Sequence, residues 1–180
     1  MSIIVIILLV LIILCLLLIL YINTYNHYQS YIIRINEAEA NIDTILRKRF
    51  DLLNKSVSII KANCDYDGEI LGKIVKLRSR KLSNFDLDKQ LYDEIKQFNF
   101  FKDNYEDLKK SESFMKIAKE LDDTEAETSA LRKYYNDTIT DYNKLVNSFP
   151  TNIIGRMCKY KEKTYFESKD DETIGLEVVR

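Results

Sequence analysis

Four carboxylates stand close together in the second half of the chain, where two of them could act as a general acid and a general base. They are Asp122, Asp123, Glu125 and Glu127. General acid–base chemistry needs paired groups in a concave site shielded from water. The polar face of a helix accounts for the same residues without any site. The sequence therefore predicts no catalytic residues and a protein that is not an enzyme.

Histidine, cysteine and glycine are too sparse for the other common reactive sites. His27 is the only histidine, so one chain cannot form a histidine-rich metal site. Cys15, Cys64 and Cys158 show no CxxC spacing, and four glycines without a G-x-x-x-x-G-K pattern do not make a phosphate-binding loop. We therefore expect no metal and no cofactor.

One sustained basic segment could bind the phosphates of nucleic acid or lipid. The chain as a whole has a formal net charge of -1, and no nucleic-acid recognition motif accompanies the segment. We expect a solvated face or a protein contact, and no nucleic-acid partner. The segment consists of Lys73, Lys76, Arg78, Arg80 and Lys81.

The N-terminus carries an unbroken apolar run from Ile3 to Ile22. Roughly 20 helical residues match the ~30 Å hydrocarbon core of a bilayer. A cleaved signal would need a basic start and a small-residue cleavage site, which this run lacks, and Ile13 and Leu14 argue against lipid attachment at Cys15. The run predicts a single-pass anchor in the lipid bilayer of the cell membrane. Basic residues follow the run and none precedes it, which favours a cytoplasmic C-terminal part.

The rest of the chain is strongly charged and predicted to be helical. All 27 Lys and Arg and all 28 Asp and Glu lie after the apolar run, and four glycines and one proline supply too few turns for a many-stranded sheet. Apolar residues at helical spacing indicate helices at about 25–64, 69–82, 86–101 and 113–148. The sequence predicts an all-α protein, in which a transmembrane helix precedes an up-and-down four-helix bundle with long first and last helices and coiled-coil-like packing.

Three segments follow from this reading: an anchor at 1–22, a bundle at 23–150 and a partly ordered tail at 151–180. The first helix is expected to leave the membrane without a break, and Pro150 is expected to end the last one. The apolar stripe of the first helix comprises Ile35, Ala38, Ile42, Leu46, Leu53, Val57 and Ile60. That of the last comprises Ile117, Leu121, Thr124, Thr128, Leu131, Tyr135, Ile139, Tyr142, Val146 and Phe149.

Two ordered blocks of residues behind the anchor resemble the LemA family of membrane-anchored proteins. The first block matches A-N-I-D-x-x-L-[KR]-[KR]-R-[HYF]-D-L-[ILV], and the second extends from Tyr105 to Glu167. Asn54, Lys55 and Ser56 replace the Pro-Asn-Leu that the family usually has next, so the first helix should be straighter than in relatives. Glu106 also departs from the family, which usually has Pro at that position. The matching residues are Ala40-Asn41-Ile42-Asp43, Leu46 to Leu53 and Val57, then Tyr105, Asp107-Leu108-Lys109, Phe114, Glu120-Leu121, Thr124-Glu125, Arg132, Tyr135-Asn136, Tyr142-Asn143, Phe149-Pro150 and Tyr165-Phe166-Glu167.

The resemblance implies a single-pass anchor and a four-helix bundle, and it carries no defined reaction. Some members are associated with membrane organisation, including magnetosome formation, and with envelope proteases. We expect a scaffold or adaptor that organises protein partners at the membrane. The alternatives are a self-assembling membrane-remodelling protein, hence a homo-oligomer, and an accessory subunit of an envelope protease. The candidate structural and interaction residues are Asn41, Asp43, Arg47, Arg49, Asp51, Glu125, Arg132, Tyr135, Asn136, Tyr142 and Asn143.

One specific contact is also expected between the first and last bundle helices. Counted from the membrane end, Asp43 and Arg132 lie at the same level within about 3 Å, at ~1.5 Å per residue. Both residues flank the apolar stripes of their helices and do not lie on the outer faces. The sequence therefore predicts an ion pair between Asp43 and Arg132.

Overall fold

The computed structural model describes residues 3–63 and 83–166, and every element in these two ranges is a helix. The all-α prediction is therefore confirmed. The predicted helix at 69–82, its basic segment and Cys64 lie outside the described residues. The helices are α1 (Ile3–Asn63), α2 (Asn84–Asn104), α3 (Glu106–Lys110), α4 (Glu112–Asn147) and α5 (Thr151–Met157).

Helix α1 continues for 61 residues without a glycine or a proline, as predicted. Every large apolar side chain from Ile3 to Leu20 is at least 45% exposed. By length and composition α1 can cross a membrane, and its apolar window has none of its surface buried inside the protein. From Ile35 onward the predicted stripe is buried. One helix thus presents an exposed apolar segment first and a packing face afterwards.

Local side-chain chemistry sets the ends of the shorter elements. The Ser83 hydroxyl accepts a hydrogen bond from the Asp86 amide at 3.2 Å, which caps α2. Tyr105, in an extended conformation, ends α2 and separates it from α3, where the sequence predicted a break. The Ser111 hydroxyl accepts from the Phe114 amide at 3.4 Å and so helps to begin α4.

The predicted stripe of α4 is buried or half-buried except at its last residue. Phe149 is 80% exposed, so its assignment to the stripe was wrong. Helix α4 ends at Asn147, and Phe149 lies in the turn before Pro150, outside the helical register. Residues 151–157 then form α5, for which the sequence periodicity gave no signal.

The chain divides into two compact units, and the first comprises residues 1–37 and 135–165. Its centre is Tyr28, which is fully buried. The Tyr28 hydroxyl lies 2.8 Å from the Leu145 carbonyl oxygen and 3.2 Å from that of Thr151, so its one hydrogen is shared between acceptors on α4 and α5. Burial raises the pKa of Tyr28, which keeps this donor protonated. The ring packs 4.6 Å from that of Tyr160 and edge-on to Tyr142.

The second unit contains residues 38–134 together with the segment that begins at Phe166. The Asn84 amide donates to the Glu39 carbonyl at 3.0 Å, and further along Arg49 faces Tyr92 and Ile95, so α1 and α2 run in the same direction. Ion pairs from Asp88 to Arg132 and from Lys102 to Asp122 show that α4 runs opposite to α2. Among the described helices of this unit, α1 and α2 are therefore parallel and α4 is antiparallel to both, as alternating helices of an up-and-down bundle are.

We expect Tyr28→Phe to lower the free energy of unfolding by about 1 kcal/mol. The hydroxyl's hydrogen bonds to the Leu145 and Thr151 carbonyls are lost, whereas the Leu145 carbonyl keeps the Thr151 hydroxyl as a donor and the ring packing remains. Urea denaturation of the full chain in mild detergent, followed by circular dichroism, measures the change. Tyr25→Phe is the matched control, since Tyr25 is 39% exposed, and it should be nearly neutral. Equal effects of the two substitutions would show that the Tyr28 hydroxyl does not hold the first unit together.

Candidate interaction site

Arg49 is a charged side chain buried where α1 packs on α4. It follows Leu46 by three residues, so the helical period brings it to the buried side of α1. Only 4% of Arg49 is exposed. One terminal nitrogen of its guanidinium, Nη2, donates to the Glu125 carboxylate, and the other, Nη1, donates to the Thr128 hydroxyl at 3.3 Å. The structure therefore brings together Arg49 and Glu125, two residues that the sequence analysis singled out separately.

Beside this ion pair lies an open cleft of about 330 Å³ formed by α1, α2 and α4. Its apolar lining comes from Tyr92, Ile95 and Leu121, and its polar lining includes both signs of charge. The Nε atom of Arg49 is buried and has no hydrogen-bond partner among the described residues. The polar lining residues are Arg49, Lys96, Asn99, Asp122 and Glu125.

The cleft is chemically suited to binding and poorly suited to proton transfer. An arginine stays protonated at neutral pH, so Arg49 can donate hydrogen bonds but cannot act as a base. The side chains of Asp122 and Glu125 are 65% and 56% exposed, whereas a catalytic carboxylate pair needs a desolvated setting. In the two described ranges no group of histidine, cysteine and acidic residues has the makeup of a metal site.

A second buried ion pair joins α2 to α4 in the same unit. The Arg132 guanidinium donates to the Asp88 carboxylate, and Asp88 is 3% exposed. The Arg132 guanidinium also lies 5.8 Å from the centre of the Phe166 ring, which stacks on Phe85 at 4.5 Å. An arginine over an aromatic face gains a further cation–π attraction.

The predicted ion pair between Asp43 and Arg132 is wrong. Asp43 instead accepts from Arg47 at 2.7 Å, one turn along the same helix, and both side chains are largely accessible to water. Arg132 pairs with Asp88 on α2, because the buried Asp88 carboxylate requires a cationic partner and Arg132 supplies it. Counting residues along the two helices predicted only that Asp43 and Arg132 lie at the same height above the membrane end. It contained no information on which neighbouring helix each side chain faces.

The remaining candidate residues do not join this site. Asn41 and Asp51 are exposed on α1. Tyr135, Asn136, Tyr142 and Asn143 belong to the first unit, where Tyr135 and Tyr142 are buried. The Asn136 carbonyl accepts from the Thr140 hydroxyl at 2.9 Å. The Asn143 side chain binds the backbone of Lys163 in both directions, each at 2.9 Å.

Sequence reasoning missed Asp88, Lys96 and Phe166 as members of these polar clusters. For Asp88 a signal was present, because it shares a helical face with Leu91 and Ile95 at spacings of three and seven. A carboxylate on an apolar face indicates a buried ionic partner. No comparable signal marks Lys96, whose importance comes only from the cleft beside it.

A double-mutant cycle of Asp88→Asn and Arg132→Gln should give a coupling energy of about 1–3 kcal/mol, since each single change strands a buried group. Denaturant unfolding of the full chain in detergent measures the three variants. The control cycle, Asp43→Asn with Arg47→Gln, changes an exposed pair on one helix and should couple by about 0.5 kcal/mol or less. Strict additivity at Asp88 and Arg132 would contradict the buried contact.

Comparison with known proteins identifies the family to which this chain belongs. The profile of the LemA family matches residues 38–178. The chain is 27% identical over 151 residues to Protein LemA of Metamycoplasma hominis, an alignment that covers 79% of this chain and 68% of that protein. The matched range contains both buried ion pairs, Arg49–Glu125 and Asp88–Arg132. The chain belongs to the LemA family.

Proposed function

We propose that this protein is a membrane-anchored, non-enzymatic scaffold or adaptor that organises other proteins at the cell membrane. The observation that carries the proposal is the continuity of α1, whose exposed apolar residues 3–22 and bundle-forming residues 38–63 belong to one unbroken helix. One helix therefore contains both the proposed anchor and residues that pack in the bundle. The proposed anchor is the segment 3–22.

The proposed side of the membrane follows from charge. No basic residue precedes the apolar segment, whereas Arg34 and the run Arg47-Lys48-Arg49 follow it. Basic residues near a span stay on the cytoplasmic side. The C-terminal units are therefore assigned to the cytoplasm.

The proposed docking site for a protein partner is the cleft beside Arg49. Its apolar lining can take one or two apolar side chains, and the exposed Lys96 ammonium offers hydrogen-bond donors to a carbonyl or carboxylate. Lys96 and Asp122 line the same cleft with opposite charges. A short peptide segment with an apolar residue next to an acidic one fits this lining.

Removal of residues 1–22 should release the protein from membranes and leave its helical content beyond the anchor intact, because every charged residue lies after that segment. Sedimentation after an alkaline carbonate wash and circular dichroism test this. The matched control exchanges the same segment for an unrelated transmembrane helix of equal length, which should restore attachment. A truncated chain that stays with membranes, or one that loses its helical signal, would contradict the anchor-plus-bundle proposal.

A photo-crosslinking amino acid at Tyr92, inside the cleft, should join the chain to one or a few defined proteins in intact membranes. The same group at Glu127, an exposed position on α4, is the control and should give diffuse, weak products. A product of twice the chain's mass from position 92 would instead support self-assembly. Identical product patterns at both positions would remove the cleft as a docking site.

A further inference from the structure

Three exposed apolar side chains lie on α5 and on the turn before it. Phe149, in that turn, is 80% exposed, and Ile153 and Met157, four residues apart on α5, are 52% and 70% exposed. In a helix such residues share a face, while a residue two positions away lies on the opposite side. Gly155 occupies that opposite side and is buried. Helix α5 therefore has a packed face and an uncovered apolar face.

Helix α5 is packed tightly against α1 through Gly155. A Cβ atom at this position would lie 2.5 Å from the Tyr28 hydroxyl oxygen, so only glycine permits this approach. Immediately after α5, Cys158 lies close to Tyr21, the penultimate residue of the apolar run. The Gln29 amide donates to the Tyr160 hydroxyl at 2.8 Å. The end of α5 thus lies at the level of α1 where the apolar run stops.

The chain around this apolar face is basic. Between residues 151 and 165 stand Arg156, Lys159, Lys161 and Lys163 against one acidic residue, Glu162. Glu162 accepts from the Asn147 amide at 2.6 Å. Arg156 and Lys159 are exposed, and Arg156 directly precedes Met157 while Lys159 follows it by two residues. Cations beside exposed apolar side chains match the boundary of a bilayer, where phosphates overlie hydrocarbon.

We propose that α5 and the turn before it form a second membrane contact, in which Phe149, Ile153 and Met157 enter the headgroup–acyl boundary of the bilayer that holds α1. This inference rests on the proposed membrane anchorage. Interfacial apolar faces of this kind are buried by about 5–10 Å. Arg156 and Lys159 lie among the headgroup phosphates. Because Gly155 fixes α5 to Tyr28, the two contacts together set the tilt of α1 as it leaves the bilayer.

The chain contains no tryptophan, so a single introduced indole reports on one position. In the full chain reconstituted into phosphatidylcholine vesicles with a minority of phosphatidylglycerol, Ile153→Trp should emit at a blue-shifted wavelength. Lipids brominated near the top of the acyl chain should quench it. The matched control is Ile33→Trp, since Ile33 is 64% exposed on α1 and lies about 16 Å along the helix beyond Ile22 at ~1.5 Å per residue. We expect several-fold stronger quenching at 153 than at 33.

Charge reversal tests the headgroup contribution. Arg156→Glu with Lys159→Glu in the Ile153→Trp background should reduce quenching several-fold while flotation with the vesicles persists through the anchor. Vesicle flotation of every variant separates the anchor hypothesis from the α5 hypothesis. Loss of flotation contradicts the anchor. Flotation with equal quenching at positions 153 and 33 contradicts only the α5 contact. A blue shift at position 153 that grows with the protein-to-lipid ratio, without quenching by brominated lipids, would indicate that a second copy of the chain covers this face. That result would overturn the proposal.

Discussion

The constraint on which the structure depends is the unbroken backbone hydrogen bonding of α1. Neither glycine nor proline interrupts residues 3–63, so no residue in this range relaxes the helix or removes a backbone donor. The same helix has an apolar surface along its first 20 residues and then contributes Tyr28 to one compact unit and Arg49 to the other. Each unit is built around a stripe that this helix supplies.

Buried polar groups define how each unit is assembled. Apolar stripes alone allow helices to slide and rotate against one another with little change in buried area. Asp88 and Arg132 allow one arrangement, because displacing either leaves a charge buried without its partner. The hydrogen bonds of Arg49 to Thr128 and Glu125 restrict the packing of α1 on α4 in the same way. In the first unit, the hydrogen bonds of the Tyr28 hydroxyl restrict the packing. We hypothesise that these contacts contribute more to the specificity of packing than to its stability.

Sequence patterns predicted the helices better than the contacts. The stripe on α1 was correct at all seven positions, and the breaks near Tyr105 and Pro150 lie where α2 and α4 end. The stripe on α4 failed at Phe149, because periodicity does not show where the helical register stops. Helix α5 was missed, since seven residues are too few for a periodic signal and its packing depends on Gly155 fitting against Tyr28.

The sequence by itself determined the all-helical class, the exposed apolar segment and the family, because these depend on composition, local periodicity and ordered blocks of residues. Only the tertiary structure decided which charges meet. Arg132 pairs with Asp88 rather than with Asp43, and Arg49 with Glu125. A helical period fixes the face on which a side chain lies, whereas its partner depends on how neighbouring helices are rotated, and that rotation results from packing across the whole unit.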